Sequence, residues 1–250
     1  MNTNWEDSVL INFDNAAHTY NKNAIIQRNV AWELSTLCSK QVIPKGLWLD
    51  LGSGTGLLAE SLESLHTNQQ VLRIDSSQQM IDSHPKNKQK QIWNLNSGLP
   101  NLPQPPQLIA SSFVLHWLNN PPERVSEWFN ALDNDGWLAL AIPVKGSFKE
   151  WYEASDKAKV PCTAIKLPSA NSLVNKIKAK NIRHNQSICI TQTARNLQSL
   201  FKTMINVGAQ SSHQSSLKLS EWKRLRNSWP LTTSKEIHLT WLIQILLIQK

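Results

Sequence analysis

The residues that could do chemistry cluster first around a glycine-rich turn. Gly52-Ser53-Gly54-Thr55-Gly56 follows the apolar, acid-bearing run Leu47-Trp48-Leu49-Asp50-Leu51 and precedes a helical pattern over 57–65. Glycine is needed where backbone approaches a ligand too closely for a Cβ or must take a positive φ. The spacing is G-x-G-x-G, whereas the dinucleotide-pyrophosphate fingerprint is G-x-G-x-x-G, so the turn points away from NAD. Asp75 stands 19 residues after Gly56, at the end of a second apolar run. A carboxylate there can accept two hydrogen bonds from ribose hydroxyls. A ribose site without a pyrophosphate site predicts S-adenosylmethionine as the cofactor.

Elements that would hold such a turn are readable around it. Ile26, Val30, Leu34 and Leu37 recur at helical spacing, and strands are expected at 47–51, 71–75, 91–95, 108–112 and 136–142, with helices at 57–65, 77–83 and 122–132 between them. Strands alternating with helices predict an α/β fold, a doubly wound, mostly parallel sheet. In such sheets the ligand sits beyond the carboxyl ends of the strands. The rhythm breaks over 145–180, where short helices at 151–159 and 170–178 flank the segment Pro161 to Pro168; this stretch is read as a helical lid insertion over the sheet edge. Beyond it a strand is expected at 182–192, helices at 194–205 and 219–229, and a last strand at 237–248. Residues 1–40 form an N-terminal helical cap on a single domain of 1–250.

Composition narrows the class. The chain has 250 residues with 40% hydrophobic and 18% charged residues, which suits one packed domain with an elaboration. Cys38, Cys162 and Cys189 form no C-x-x-C pair, so neither a disulfide framework nor a metal site is expected, and a cytoplasmic location fits. The longest apolar run, Leu239 to Ile248, spans ten residues, short of the roughly 20 needed to cross a bilayer, so no membrane partner is expected. Residues 1–150 carry 11 Lys/Arg against 14 Asp/Glu, whereas 151–250 carry 15 against 4, a net charge of +11. Such a field favours encounter with an acidic partner.

At Leu49 to Gly56 and at Asp75 the chain resembles the class I S-adenosylmethionine-dependent methyltransferases. The resemblance implies cofactor contacts from Asp50, Gly52, Ser53, Gly54 and Gly56 of the first motif, and from Asp75, Ser76 and Ser111. It also places Met80 beside the adenine and makes Asn94-Leu95-Asn96-Ser97-Gly98-Leu99-Pro100 similar to the loop that reads the adenine amino group. Asn94 replaces the usual Asp of that loop, and Gln107 replaces the Asp common before the fourth strand.

Resemblance to one subfamily, the malonyl-acyl-carrier-protein O-methyltransferases of biotin synthesis, runs along nearly the whole chain. It is carried by Phe13-Asp14-Asn15-Ala16-Ala17-His18-Thr19-Tyr20, by Ser112 to Leu118, by Lys166-Leu167-Pro168, by Val207-Gly208-Ala209 and by Leu225 to Pro230. This implies methylation of the free carboxylate of a malonyl thioester, with acidic acyl carrier protein docking on the basic half. The resemblance places Tyr20 over the cofactor and His116, where the subfamily generally has Gln, beside the methyl group. Lys166 and Lys202, standing where Arg is frequent, are candidates for the substrate carboxylate. Other readings of the same residues are a methyltransferase for a free small acid, a non-catalytic cofactor-binding homologue, and an RNA methyltransferase. The last lacks an Asn-Pro-Pro-Tyr-like motif at Ser111-Ser112-Phe113-Val114, so nucleic acid is not the expected partner.

Overall fold

A computed structural model describes residues 5–233 and 235–250. The chain opens with α1 (Trp5–Asn23) and α2 (Ile25–Ser39), followed by β1 (Trp48–Leu51), α3 (Leu57–Leu65), β2 (Val71–Asp75), α4 (Gln78–Asp82) and β3 (Lys90–Ile92). It continues through β4 (Leu108–Ser112), α5 (Pro121–Ala131), β5 (Trp137–Pro143), β6 (Lys145–Phe148), α6 (Lys149–Ala158) and α7 (Ala170–Val174). The last elements are β7 (Ile182–Ala194), α8 (Leu197–Asn206), α9 (Leu219–Ser228) and β8 (Ile237–Gln249).

Seven strands form one sheet in the order β3-β2-β1-β4-β5-β8-β7. The first five pair in parallel, and β8 runs antiparallel between β5 and β7. The doubly wound, mostly parallel sheet expected from the alternation is therefore present. The chain winds outward from β1 through β2 to β3 and then crosses back to β4 on the other side of β1, and this reversal opens a cleft beyond the carboxyl ends of β1 and β4.

Alternation along β5 separates two cores. Trp137, Ala139 and Ala141 face a cluster with Leu34 of α2, Leu58 of α3 and Trp151 of α6, and Leu138, Leu140 and Ile142 face a cluster with Trp128 of α5 and Leu173 of α7. The stretch 145–180 thus contributes to both faces, and corrects the picture of an insertion lying over the sheet edge: Trp151 and Ala154 are buried on one side, Leu173 and Ile177 on the other.

Several boundaries move for local reasons. The helix expected over 170–178 stops at Val174, and Lys176 beyond it pairs with Glu123 of α5. The one expected from Ala194 starts at Leu197, because Asn196 and Ser199 form a capping box. The strand expected over 91–95 ends at Ile92, and Leu95 enters a 3-10 turn whose cap is the Asn94 side chain. Within the expected N-terminal cap, residues 1–4 lie outside the described residues. α2 is a core helix, whereas α1 buries only Ala16 and packs across α4 and α8.

Candidate active site

A cavity of about 410 Å³ lies over the carboxyl ends of β1 to β4. Its floor is the glycine turn. Gly52 has φ +69°, and a Cβ there would come within 2.2 Å of Val114 Cγ2, so only glycine fits. Gly54 has φ +51°, and a Cβ on it would meet no heavy atom within 4 Å: its bare face looks into the cavity. The Gly54 N–H donates to Asp75 Oδ2 at 2.8 Å, and the Ser77 N–H donates to Asp75 Oδ1 at 2.8 Å. Each carboxylate oxygen keeps a lone pair for a ligand hydroxyl. Burial raises the Asp75 pKa, while these N–H donors oppose the shift.

Two groups behind the turn fix its shape. His84 Nε2 lies 2.8 Å from the Gly54 carbonyl oxygen. A carbonyl only accepts, so this nitrogen carries the proton; burial lowers the His84 pKa and keeps the ring neutral. Asp50, at 1% exposure, accepts from the Ala59 N–H at 3.0 Å and so caps α3, whose own N-cap residue is Gly56. Burial pushes the Asp50 pKa up to about 7, against the opposing pull of the Ala59 bond and Arg73. Asp50 and Ser53 border a side recess of about 30 Å³ with Tyr20, outside the main cavity. Gly56 stands against His84, also outside it.

At the far end, Met80, Asn94 and Leu95 line the cavity wall and Ser76 its exposed rim. Asn94 Oδ1 accepts from the Asn96 N–H at 2.9 Å, and Asn94 Nδ2 donates to Glu6 Oε2 at 3.1 Å. Glu6 Oε1 accepts from Asn119 Nδ2 at 3.0 Å, and the Asn119 N–H returns to Asn96 Oδ1 at 2.8 Å. The first turn of α1 is thereby tied to two loops. Asp14 secures the same helix lower down, accepting from the Ser77 hydroxyl. Sequence reading missed Glu6 and Leu10 as wall residues. The signal for Leu10 was present, since Leu10, Phe13 and Tyr20 recur on one helical face and all line the cavity.

Tyr20 stands where the cavity meets a waist of about 30 Å³ bounded by Phe113, His116, Trp117 and Gln27. Burial pushes the His116 pKa down to about 3, and its Nδ1 has no hydrogen-bond partner. Burial, with Asp75 and Asp50 nearby, raises the Tyr20 pKa, so the phenol keeps its proton. Both side chains present neutral polar atoms to the waist.

Three expected residues stand apart. The Ser111 hydroxyl donates to the Leu51 carbonyl at 2.8 Å inside the sheet, and Ser112 lines the cavity in its place. Lys166 is exposed and lines neither the cavity nor the waist. Lys202 borders a separate cavity of about 470 Å³ between α6, α8 and α9. Gln107 is structural, donating to Asp133 Oδ2 at 2.7 Å.

The profile described as a methyltransferase domain matches residues 49–140. Residues 49–140 are thus similar to a methyltransferase domain, set in a doubly wound sheet of the class I methyltransferase type. Among solved structures, a putative methyltransferase from Bacillus halodurans aligns with a TM-score of 0.60 at 12% identity, covering 87% of this chain and 98% of that one. The YcgJ protein from Bacillus subtilis aligns with a TM-score of 0.58 at 15% identity, with the same two coverages, 87% and 98%. A malonyl-[acyl-carrier protein] O-methyltransferase of Laribacter hongkongensis is 29% identical over 58% of this chain, which spans only about half (54%) of that relative. A protein of the same name from Bacillus cytotoxicus is 24% identical over 81% of this chain and 75% of its own length. The methyltransferase profile holds the glycine turn, Asp75 and Asn94, whereas α1, Lys202 and the cavity beside it lie outside the matched span. No helix among the described residues is long and apolar enough to cross a membrane.

Proposed function

We propose that this methyltransferase binds S-adenosylmethionine in the larger cavity and methylates the free carboxylate of a malonyl thioester on acyl carrier protein, an early step of biotin synthesis in the cytoplasm. The residues fit the cofactor: Gly54 offers bare backbone to the cavity, and Asp75 keeps an acceptor on each oxygen. Asp75 would hold the ribose hydroxyls, Met80 and Leu95 would sandwich the adenine, and Asn94 with Glu6 would face its amino group. Gly52, Ser53, Gly56 and Asp50 would shape the turn from behind. When bound, the cofactor supplies an electrophilic methyl on sulfur.

The observation that carries the reading is the neutral waist beside that cavity, joined to the names borne by the relatives. A carboxylate has an unperturbed pKa near 4 and is ionised at neutral pH, so no general base is required. The methyl acceptor would be one carboxylate oxygen, and the chemistry the cofactor would supply there is a methyl group whose former bonding pair stays with sulfur. The chain's task is to hold the oxygen in line, for which proximity and orientation supply up to about 7 to 11 kcal/mol. His116, Tyr20 and Gln27 would donate to the oxygen that is not methylated. Lys166 and Lys202 belong instead to the approach of the carrier, on the half with net charge +11. The lid reading narrows to 161–168, where Ile165 borders the waist and Tyr152 Oη donates to its carbonyl at 3.3 Å.

The test is to supply purified protein and S-adenosylmethionine with malonyl-acyl carrier protein, malonyl-coenzyme A or free malonate, and to detect the methyl ester by mass spectrometry. Ester on the carrier substrate is expected. Ester on malonate alone would replace the carrier reading with a small-acid one.

A further inference from the structure

We propose that the second cavity, about 470 Å³ between α6, α8 and α9, is the site of the neutral, flexible arm that tethers the substrate's acyl group, with the terminal carboxylate seated in the waist. The proposal rests on the carboxyl-methylation reading above.

Continuity is the first argument. Phe148, Ile165, Met204 and Ala209 belong to the walls of both the second cavity and the waist. Phe13, Tyr20, Phe113 and Trp117 belong to both the waist and the cofactor cavity. The waist therefore adjoins both larger spaces, and it is much the smallest of the three. At about 30 Å³ it has room for about two water-sized groups, against the ~10 to 15 Å³ that one water needs, which matches the two oxygens of a carboxylate.

The walls of the second cavity supply the second argument. Trp151 and Phe201 meet edge to face at 4.3 Å, and Phe201 and Trp222 at 5.2 Å, giving one aromatic side. The same space is lined by the neutral hydroxyl and amide groups of Thr163, Gln198, Ser211 and Gln214, and no carboxylate borders it among the described residues. Rings for methylenes and neutral partners for amides suit a pantetheine-like chain. Lys202, exposed at the rim, makes no hydrogen bond or ion pair among the described residues, which leaves its charge for the phosphate that ends such an arm.

Ile205 offers a way to block the cavity without touching the core, because it lines the space from α8 and is 52% exposed. Two measurements compare wild type with Ile205→Trp. One is the KM for malonyl-coenzyme A, which carries the full arm, set against malonyl-N-acetylcysteamine, which carries a stub. The other is saturation-transfer NMR of pantetheine alone. The variant should raise the KM ratio of long to short substrate at least tenfold and lose the pantetheine signal, with the S-adenosylhomocysteine Kd within twofold as the folding control. Equal KM changes for both substrates, or no pantetheine contact with wild type, would overturn the arm site while leaving carboxyl methylation standing. If wild type esterifies no malonyl thioester but its pantetheine signal is lost in the variant, the carboxyl reading falls and the arm site survives.

Discussion

Asn94 Nδ2 donates to Glu6 Oε2 across 3.1 Å, joining positions 88 apart in the chain at the wall of the larger cavity. The bond needs a donor at 94, because Glu6 offers only acceptors. An Asp there would set a second carboxylate against Glu6. Asn94→Asp should therefore weaken S-adenosylhomocysteine binding about tenfold, about 1.4 kcal/mol, by calorimetry. The swap Glu6→Gln with Asn94→Asp restores one donor facing one acceptor, and should recover affinity to within about threefold of wild type, an expectation set by double-mutant logic. A single Asn94→Asp variant that binds as tightly as wild type would remove the clasp from the account.

The glycines of the turn separate fold from ligand. Gly52→Ala meets Val114 at 2.2 Å and also bears a positive φ, so it should lower both melting temperature and affinity. The stability cost is about 2 to 4 kcal/mol, combining left-handed backbone with overpacking. Gly54→Ala meets no protein atom within 4 Å and should cost stability only about 1 to 2 kcal/mol through its φ of +51°. Its methyl would occupy the space where the ligand approaches, so cofactor affinity should fall by two orders of magnitude or more. Thermal melts paired with calorimetry separate the two, and a Gly54→Ala variant that binds normally would move the cofactor away from the turn.

What could be read from sequence was what local backbone chemistry dictates. The turn, Asp75 at the end of β2 and the alternation of strands with helices follow from spacing alone, and of the parallel strands only β3 is cut short against its pattern, at Ile92. Long-range pairings were illegible. Glu6 has no local signature, because its meaning comes from Asn94 and Asn119. Ser111 and Ser112 are adjacent residues of one type, and only the pleat of β4 decides that the first bonds to Leu51 while the second lines the larger cavity. Lys202 was read as a partner for the carboxylate, but its helix faces the second cavity.

His116 sits in the waist as a neutral ring, with its pKa pushed down to about 3 by burial. Replacement by Gln keeps a neutral donor of similar reach, so His116→Gln should retain kcat/KM to within about fivefold. Replacement by Leu removes the donor and should lower kcat/KM about 10²-fold, mainly through KM, comparable to losing one hydrogen bond of about 1.5 to 3 kcal/mol to a charged group. Because neither His116 nor Gln titrates between pH 5 and 8, the kcat/KM profiles of wild type and His116→Gln should share one shape over that range. A limb near pH 6 present only in wild type would mean the ring is charged in the working enzyme.

Asp50 gives the protein without cofactor a stability that depends on pH with a definite sign. Its folded pKa of about 7 lies above its ordinary 3.8, so the folded state keeps a proton that the unfolded chain has already lost. The contribution is complete below about pH 4 and is lost as pH rises through 7, on the order of 4 kcal/mol in total at about 1.4 kcal/mol per unit. The raised pKa of Asp75 acts in the same direction, whereas Glu63, held low by Arg73 and Lys88 despite its burial, acts oppositely and only in acid. The depressed pKa values of His116, His84 and His66 act oppositely up to about pH 6.5, so the net fall in melting temperature should come between about pH 6.5 and 8. Asp50→Asn keeps the acceptor for Ala59 but cannot titrate, so its fall over the same range should be shallower. A variant slope equal to that of wild type would show that the buried carboxyl at the head of α3 is already ionised at pH 6.5.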